Sequence, residues 1–320
     1  MPLPQDERIV ALANDLLKEF DAIFGLHPGF RPAHAKGQMF TGTFRPAPEA
    51  RALTRAPHIA RESTPVTVRF SNSSGNPSMP DNFGDANPRG LAIRFNLAEH
   101  VHTDIVSHST DGFPARDGNE FLELLKALAA SGPDVPSPKP VEKFLGSHPA
   151  ALAFVQTPKP FPVSLATQSY YAVMAYAFTN AAGEKVFGRY RILPEAGNSY
   201  LPDGVVAELS PSYHFDEILN RVSRGPVRFK IMVQVAEPDD ITDNATVHWP
   251  ESRKLVEFGT IEITQRVPDN LAEQKVIIFD PIPRVDGIEP SADPLLDSRA
   301  AIYLLSGRRR RAAVPVGATA

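Results

Sequence analysis

Cysteine is missing from all 320 positions. That absence excludes disulfides, Fe–S clusters, thiolate-ligated haem and every cysteine nucleophile. It suits oxidising chemistry, and it is equally ordinary in a cytosolic protein. Long apolar runs are missing too: nothing approaches the roughly 18 residues a membrane-spanning helix requires. The start, with Asp6 and Glu7, lacks the charged-then-apolar order of a secretory signal. These absences point to a cytoplasmic protein without a membrane partner. A large excess of either charge is missing as well: 33 Lys and Arg stand against 37 Asp and Glu. A net charge of −4 gives no electrostatic reason to expect nucleic acid, and the short run Arg308–Arg311 is a weak signal on its own.

What is present describes a globular chain rich in turns. Hydrophobic residues make up 42%, charged residues 22%, and 32 prolines favour loops over long helices. Residues 7–24 carry Ile9, Leu12, Leu16, Leu17 and Phe20 at helical spacing, and His27-Pro28-Gly29 is expected to end that helix. Short strands are expected over 38–44, 64–70, 90–95 and 103–107, with a polar loop at 72–88. Helical pieces follow at 121–130, 141–145 and 150–154. Strands return at 169–179, 184–193, 227–235 and 254–263, with Asn180–Gly183 as a hairpin turn. A last helix spans 295–305 and precedes a basic tail. This order suggests one antiparallel sheet, able to close on itself, with helices laid against it.

Four clusters could carry chemistry. His34 sits in Arg31-Pro-Ala-His-Ala-Lys-Gly37, just before a strand. Arg69 and Ser71 end the strand Val68-Arg-Phe-Ser71. His108 ends a strand that starts with Asp104 and is followed by Phe113 and Phe121. Arg299 and Tyr303 lie four apart, one turn above the other on one helix face. Each alone has an ordinary reading as a surface histidine, an outward-facing strand arginine or a helix-stabilising pair. His100 and His102 could form half a metal site, but no second pair with ligand spacing follows.

Together the clusters resemble the haem catalases in order and spacing. Arg31–Gly37 resembles the family's R-x-x-H-A-K-G, Val68–Ser71 its V-R-F-S, and Asn87–Phe95 its D-P-R-G-F-A-x-K-F. Asp104-Ile-Val106 and Arg116-Asp117 match its D-x-V and R-D. Gly287–Tyr303 resembles G-I-E-P-S-x-D…R-x-x-x-Y. The similarity runs from about Arg31 to Arg311 and fits the minimal, catalase-related peroxidase branch.

The resemblance implies an α+β fold: a closed antiparallel eight-stranded β-barrel with flanking helices, and haem b (iron protoporphyrin IX) between the barrel and a C-terminal helix. It implies one catalase-core domain over 1–320, with an N-terminal helix in 1–27, barrel and haem pocket in 28–311, and a tail in 312–320. Tyr303 is the implied iron ligand, with Arg299 as the cation that favours its phenolate. His34 is the implied distal acid–base, its ring oriented by Ser71. Arg31, Arg69 and Arg310 would neutralise the haem propionates. Phe121 would stack on the porphyrin, and Ala33, Phe113 and Ser306 fall in the segments that enclose it.

The chain departs from catalases at three places. His108 stands where they carry the distal asparagine, Pro114 replaces one phenylalanine of a channel pair, and Asn87 replaces a channel aspartate. A wider, less charged entrance should admit a small organic reductant better than it orients a second peroxide. The expected activity is therefore reduction of hydrogen peroxide or an organic hydroperoxide, with weak catalase activity. True catalase activity is one alternative. A fatty-acid hydroperoxide dehydratase like the allene oxide synthases is another, although those carry threonine where this chain has Ala33. A haem carrier without turnover is a third. The expected assembly is a monomer or dimer, because the arms that tie catalase tetramers have no counterpart.

Overall fold

Alternating apolar and polar residues make a strand with one face in a core, and the chain carries that pattern repeatedly. In the computed structural model, which describes residues 2–202 and 204–314, the strands are β1 (Gly37–Pro46), β2 (Thr64–Ser71), β3 (Gly90–Ala98), β4 (Val101–His108), β5 (Tyr170–Tyr171), β6 (Tyr176–Thr179), β7 (Lys185–Pro194), β8 (Val227–Val235), β9 (Leu255–Arg266) and β10 (Ile288–Pro290). The helices are α1 (Glu7–Phe24), α2 (Ala50–Leu53), α3 (Pro57–Ala60), α4 (Gly118–Ala129), α5 (Pro140–Ser147), α6 (Pro149–Gln156), α7 (Tyr213–Arg224), α8 (Asn270–Val276) and α9 (Leu295–Ala312). None is long and apolar enough to cross a membrane.

The strands form one sheet in the order β10-β6-β7-β5-β4-β3-β2-β1-β9-β8, and pairing of β7 with β8 closes it. The closed part is an antiparallel barrel of eight strands, β1–β5 and β7–β9, with β6 and β10 extending beyond it. Its inside is packed with aromatic side chains. Phe44, Phe95 and Phe258 meet there, with Phe44 edge-on to Phe95 at 4.9 Å between centroids. Closure removes the edges through which an open sheet would aggregate.

Side chains directly opposite in a ladder point to one face, so the register decides what the outer wall presents. One outward row runs Gly37, Ser71, Gly90, His108, Tyr171, Arg191 across β1, β2, β3, β4, β5 and β7. The next runs Met39, Arg69, Ala92, Val106. Helices α1, α4 and α9 cover the region through a shared apolar seam of Leu16, Leu17, Phe20, Leu125, Ala301 and Ile302.

Several sequence expectations change. Helix α1 spans the expected residues 7–24, but its stop is Gly25 rather than His27–Gly29: Gly25 takes a φ of +82° and closes the last turn through its N–H to Asp21. The single strand expected over 169–179 splits into β5 and β6; between them, Met174 accepts a hydrogen bond from Arg299 Nη1 at 3.2 Å, so the chain leaves the ladder to meet α9. Helix α9 runs past Leu305 to Ala312, and the expected basic tail is helix instead. Its extra turns are fixed by contacts: Arg309 pairs with Asp21 of α1 at 2.5 Å, and Arg310 donates to Ser306 at 2.9 Å. Of the expected tail 312–320, residues 315–320 lie outside the described residues. Helices α7 and α8 were not expected, although Phe215, Ile218 and Val222 are spaced as one buried face of α7.

Candidate active site

The α9 residues of the site come from one helix face. At 3.6 residues per turn, positions 299, 303, 306 and 310 fall within about 60° of one another. Tyr303 Oη accepts two hydrogen bonds from Arg299, from Nη2 at 2.7 Å and Nε at 3.0 Å. Two N–H groups of a fixed cation aimed at one oxygen suit a phenolate. Burial opposes the charge on Arg299, but Tyr303, Tyr176 and Asp293 outweigh it, so the guanidinium is held above its usual pKa. Asp293 also accepts Leu295 N–H at 2.9 Å and so fixes the start of α9.

The opposite wall is assembled from a loop and three strands. His34 has a φ of +56°, a left-handed conformation that a residue with a side chain adopts only when its surroundings impose it. The polar loop 72–88 imposes it: His34 N–H bonds Ser73 O at 3.0 Å and Ala35 N–H bonds Ser74 O at 2.9 Å. Ser71 Oγ lies 3.0 Å from His34 Nδ1. Gly90 stands beneath the pair, and a Cβ there would lie 2.5 Å from Ser71 Oγ and 2.9 Å from His34 Nδ1. Only glycine leaves that space.

His108, beside Gly90 in the same row, accepts Thr110 N–H on Nδ1 at 3.3 Å. Its ring meets Phe154 of α6 edge-on at 6.5 Å. That leaves Nε2 as its nitrogen without a backbone partner. Both histidines are neutral near pH 7. His34 is pushed down to about 3 by burial, then by Arg69, His108, Arg299 and Arg31. His108 is pushed down to about 4 by burial and Arg299. Arg299 acts on both imidazoles, so the α9 face lies near this wall.

Three further cations sit at one end. Arg69 donates to Gln274 Oε1 at 2.6 Å and His34 O at 2.7 Å; Arg31 donates to Gln274 O and Ile277 O at 3.1 and 3.2 Å. Arg310 donates to Ile277 O at 2.8 Å, and its Nε has no partner. Burial followed by mutual repulsion pulls Arg31 well down and Arg69 to about 9; burial with Arg311 and Arg309 pulls Arg310 to about 10. No carboxylate of the described residues acts on any of the three. Such a cluster is costly unless an anion joins it. Haem fits on chemistry: its two propionates match the arginines, and the Tyr303 oxygen, a haem-iron ligand type, lies near enough to act on Arg31.

The expected residues therefore converge, with some differences of detail. Phe121 lies between Phe20 and Phe113, at 6.0 and 5.2 Å between centroids. Ala33 and Tyr303 pack against the same seam of α1, α4 and α9. The Ser306 hydroxyl is engaged by Arg310. His102 bonds Asp104, itself held by Arg94, and no cluster of metal-ligating residues occurs among the described residues. Sequence reading missed Gln274, which joins Arg69, Gly37 and α8, as well as Met174 and Phe154. The cap of α8, Asp269 accepting from Ala272 at 3.2 Å, was the available signal for the first.

A profile of the family described as Catalase matches residues 29–315. A catalase-related peroxidase of Mycolicibacterium paratuberculosis is 35% identical over 291 residues, covering 89% of this chain and 90% of its own. One from Synechococcus elongatus is 31% identical, with 93% and 88% covered. The catalase of Mus musculus is 27% identical over 88% of this chain but only 56% of its own length. Among solved structures, a fungal catalase superposes with a TM-score of 0.79 at 21% identity, over 97% of this chain and 64% of that one. The barrel and its helices are thus those of the catalase fold, and the chain spans about two thirds of that larger protein. By the extent of these matches, the chain belongs to the catalase family and is similar, over nearly its whole length, to the family's short catalase-related peroxidases.

Proposed function

We propose that the protein is a haem-dependent peroxidase that reduces hydrogen peroxide or an organic hydroperoxide with electrons from a small organic donor. Haem bound between the strand wall and α9 would supply a redox-active iron at which a peroxide O–O bond is broken. Tyr303 Oη would hold that iron, and Arg299 would keep the oxygen in its phenolate form. Arg31, Arg69 and Arg310 would hold the propionates.

His34 Nε2 would take the proton from one peroxide oxygen and return it to the other, so that water or an alcohol leaves. Ser71 fixes the ring for this through Nδ1, leaving Nε2 toward the substrate. A neutral imidazole is required for the first transfer, and burial keeps it neutral. Phe113, Phe121 and Phe154 make the surroundings apolar, which strengthens each hydrogen bond there. At His108 the ring fills space that an asparagine would leave open, which favours a donor over an ordered second peroxide.

What supports this reading is that the bonded pairs His34–Ser71 and Arg299–Tyr303 lie near enough for the Arg299 charge to act on the buried His34 imidazole. It is tested by a visible spectrum of the purified protein, with peroxide and then with a phenolic donor. The expected result is a haem spectrum, an oxidised form after peroxide, and decay that depends on the donor. Fast oxygen evolution without donor would make it a catalase instead. Rapid conversion of a lipid hydroperoxide with no reductant would make it a dehydratase. His34→Ala that keeps full function would leave a carrier.

A further inference from the structure

The reasoning that marks an anion site at Arg31, Arg69 and Arg310 applies at a second place, behind the distal wall. Arg89 is 1% exposed. Its Nη2 donates to Asp81 O at 3.0 Å, but Nε and Nη1 have no partner. One face of the guanidinium is covered by the Phe161 ring at 4.7 Å. Burial lowers its pKa to about 10, so it remains a cation at neutral pH.

The nearby groups do not neutralise it. The Asp81 carboxylate acts on Arg89 but is shared with Lys36, whose Nζ lies 2.8 Å away, which leaves one negative charge for two positive ones. Tyr213 and Tyr170 both act on Arg89, but burial raises both phenols above their usual pKa, so neither is a phenolate. Tyr170 Oη donates to Leu165 O at 2.8 Å, whereas Tyr213 Oη is buried without a partner. His214 is neutral, pushed down to about 3 by burial and Arg89, and its Nε2 meets Pro162 O at 3.0 Å. Tyr213 and His214 open α7, where the helix end adds positive potential.

A buried cation with two unpartnered N–H groups, acted on by a tyrosine whose own hydroxyl is buried without a partner, calls for a negative charge. None of Arg31, Arg69 and Arg310 acts on Arg89, so this place is separate from the propionate end. We propose that it binds one small monovalent anion of the halide class, held by Arg89 Nε and Nη1 and Tyr213 Oη. The unpartnered oxygens of Asn72, Asn82 and Asp81 in the same region would take hydrogens of accompanying water. The site would brace the distal wall from behind. Arg89 O accepts Ser109 N–H at 2.9 Å and Arg89 N–H bonds Ser109 Oγ at 3.0 Å, one residue beyond His108.

The test is a crystal of the full chain grown with bromide in place of chloride, measured at the bromine edge. An anomalous peak against the Arg89 guanidinium and Tyr213 Oη is expected, weakened in Tyr213→Phe and lost in Arg89→Met. Bromide found only on the surface, or water alone at Arg89, overturns the proposal. In solution, replacing a bulky sulfonate by chloride at constant ionic strength should raise the melting temperature by a few degrees, and by less in Tyr213→Phe. If both proteins respond equally, the proposal also fails. Neither measurement depends on peroxide turnover.

Discussion

The two walls of the site are built in opposite ways. The α9 wall is a single helix face, with four side chains set by one 3.6-residue period and tied to each other by i,i+4 bonds. The strand wall draws on a loop and strands β2, β3 and β4, and no two of His34, Ser71, Gly90 and His108 are close in sequence. Local geometry positions the first wall; register positions the second. A ladder slipped by one residue would turn Ser71 and His108 into the barrel. The helix face should therefore tolerate changes in its surroundings, whereas the strand wall should depend on second-layer residues such as Gly90 and the loop carbonyls of Ser73 and Ser74.

The largest expected effects sharpen the division of labour. His34→Ala removes the proton-moving group and should slow the reaction with peroxide by about 10²–10⁴-fold, followed by stopped-flow, with haem still bound. Tyr303→Phe should do the reverse, with the purified protein losing its pigment and no longer titrating with hemin. If Tyr303→Phe kept normal pigment, the assignment of α9 as the iron-holding wall would be wrong.

Ser71→Ala should leave haem in place and slow the peroxide reaction by ~10–100-fold, the scale seen when a residue orienting a histidine is removed. An unchanged rate would show that the left-handed backbone alone aims the ring. At the propionate end, Arg310→Met should weaken hemin binding by about 10-fold, the worth of one charged hydrogen bond. The haem-free variant should be at least as stable in urea, since it loses a buried cation that burial and neighbouring arginines disfavour. A stability loss without an affinity loss would assign Arg310 to packing.

The smallest expected effect concerns pH. With His34 at about 3 and His108 at about 4, neither imidazole changes charge between about pH 5 and 8. The peroxide rate should be flat there, and a step near 6.5 would place one histidine in water. Stability should not be flat. The unfolded chain takes up histidine protons near 6.5, whereas the folded chain resists until about 3 at His34, His58 and His214. Unfolding is therefore favoured as pH falls through that window, and the urea midpoint should drop with it.

How much was legible in the sequence follows the same line. The Arg299–Tyr303 pair could be read because four residues make one helical turn. The strands of the barrel could be read from alternation, within a few residues at each end. The break between β5 and β6 could not, because Ala172–Ala175 are as buried and apolar as a strand. The chain leaves the ladder after Ala172, whose N–H still bonds Tyr190 O, and Met174 there meets Arg299, a partner 125 residues away. Arg308–Arg311 reads as a basic tail, with only Arg310 turned inward by the resemblance, until Asp21 on α1 is in view as the partner of Arg309.

By itself, the sequence determined most of the barrel strands and which side chains are able to move protons, ligate iron or neutralise carboxylates, because those depend on residue type and short-range spacing. Tertiary structure alone decided the neutral state of both histidines, the excess of buried arginines over carboxylates, and the need for glycine at position 90. Each of these is set by what lies within a few ångströms in space. Closing the barrel brings together residues that the chain keeps tens to hundreds of positions apart.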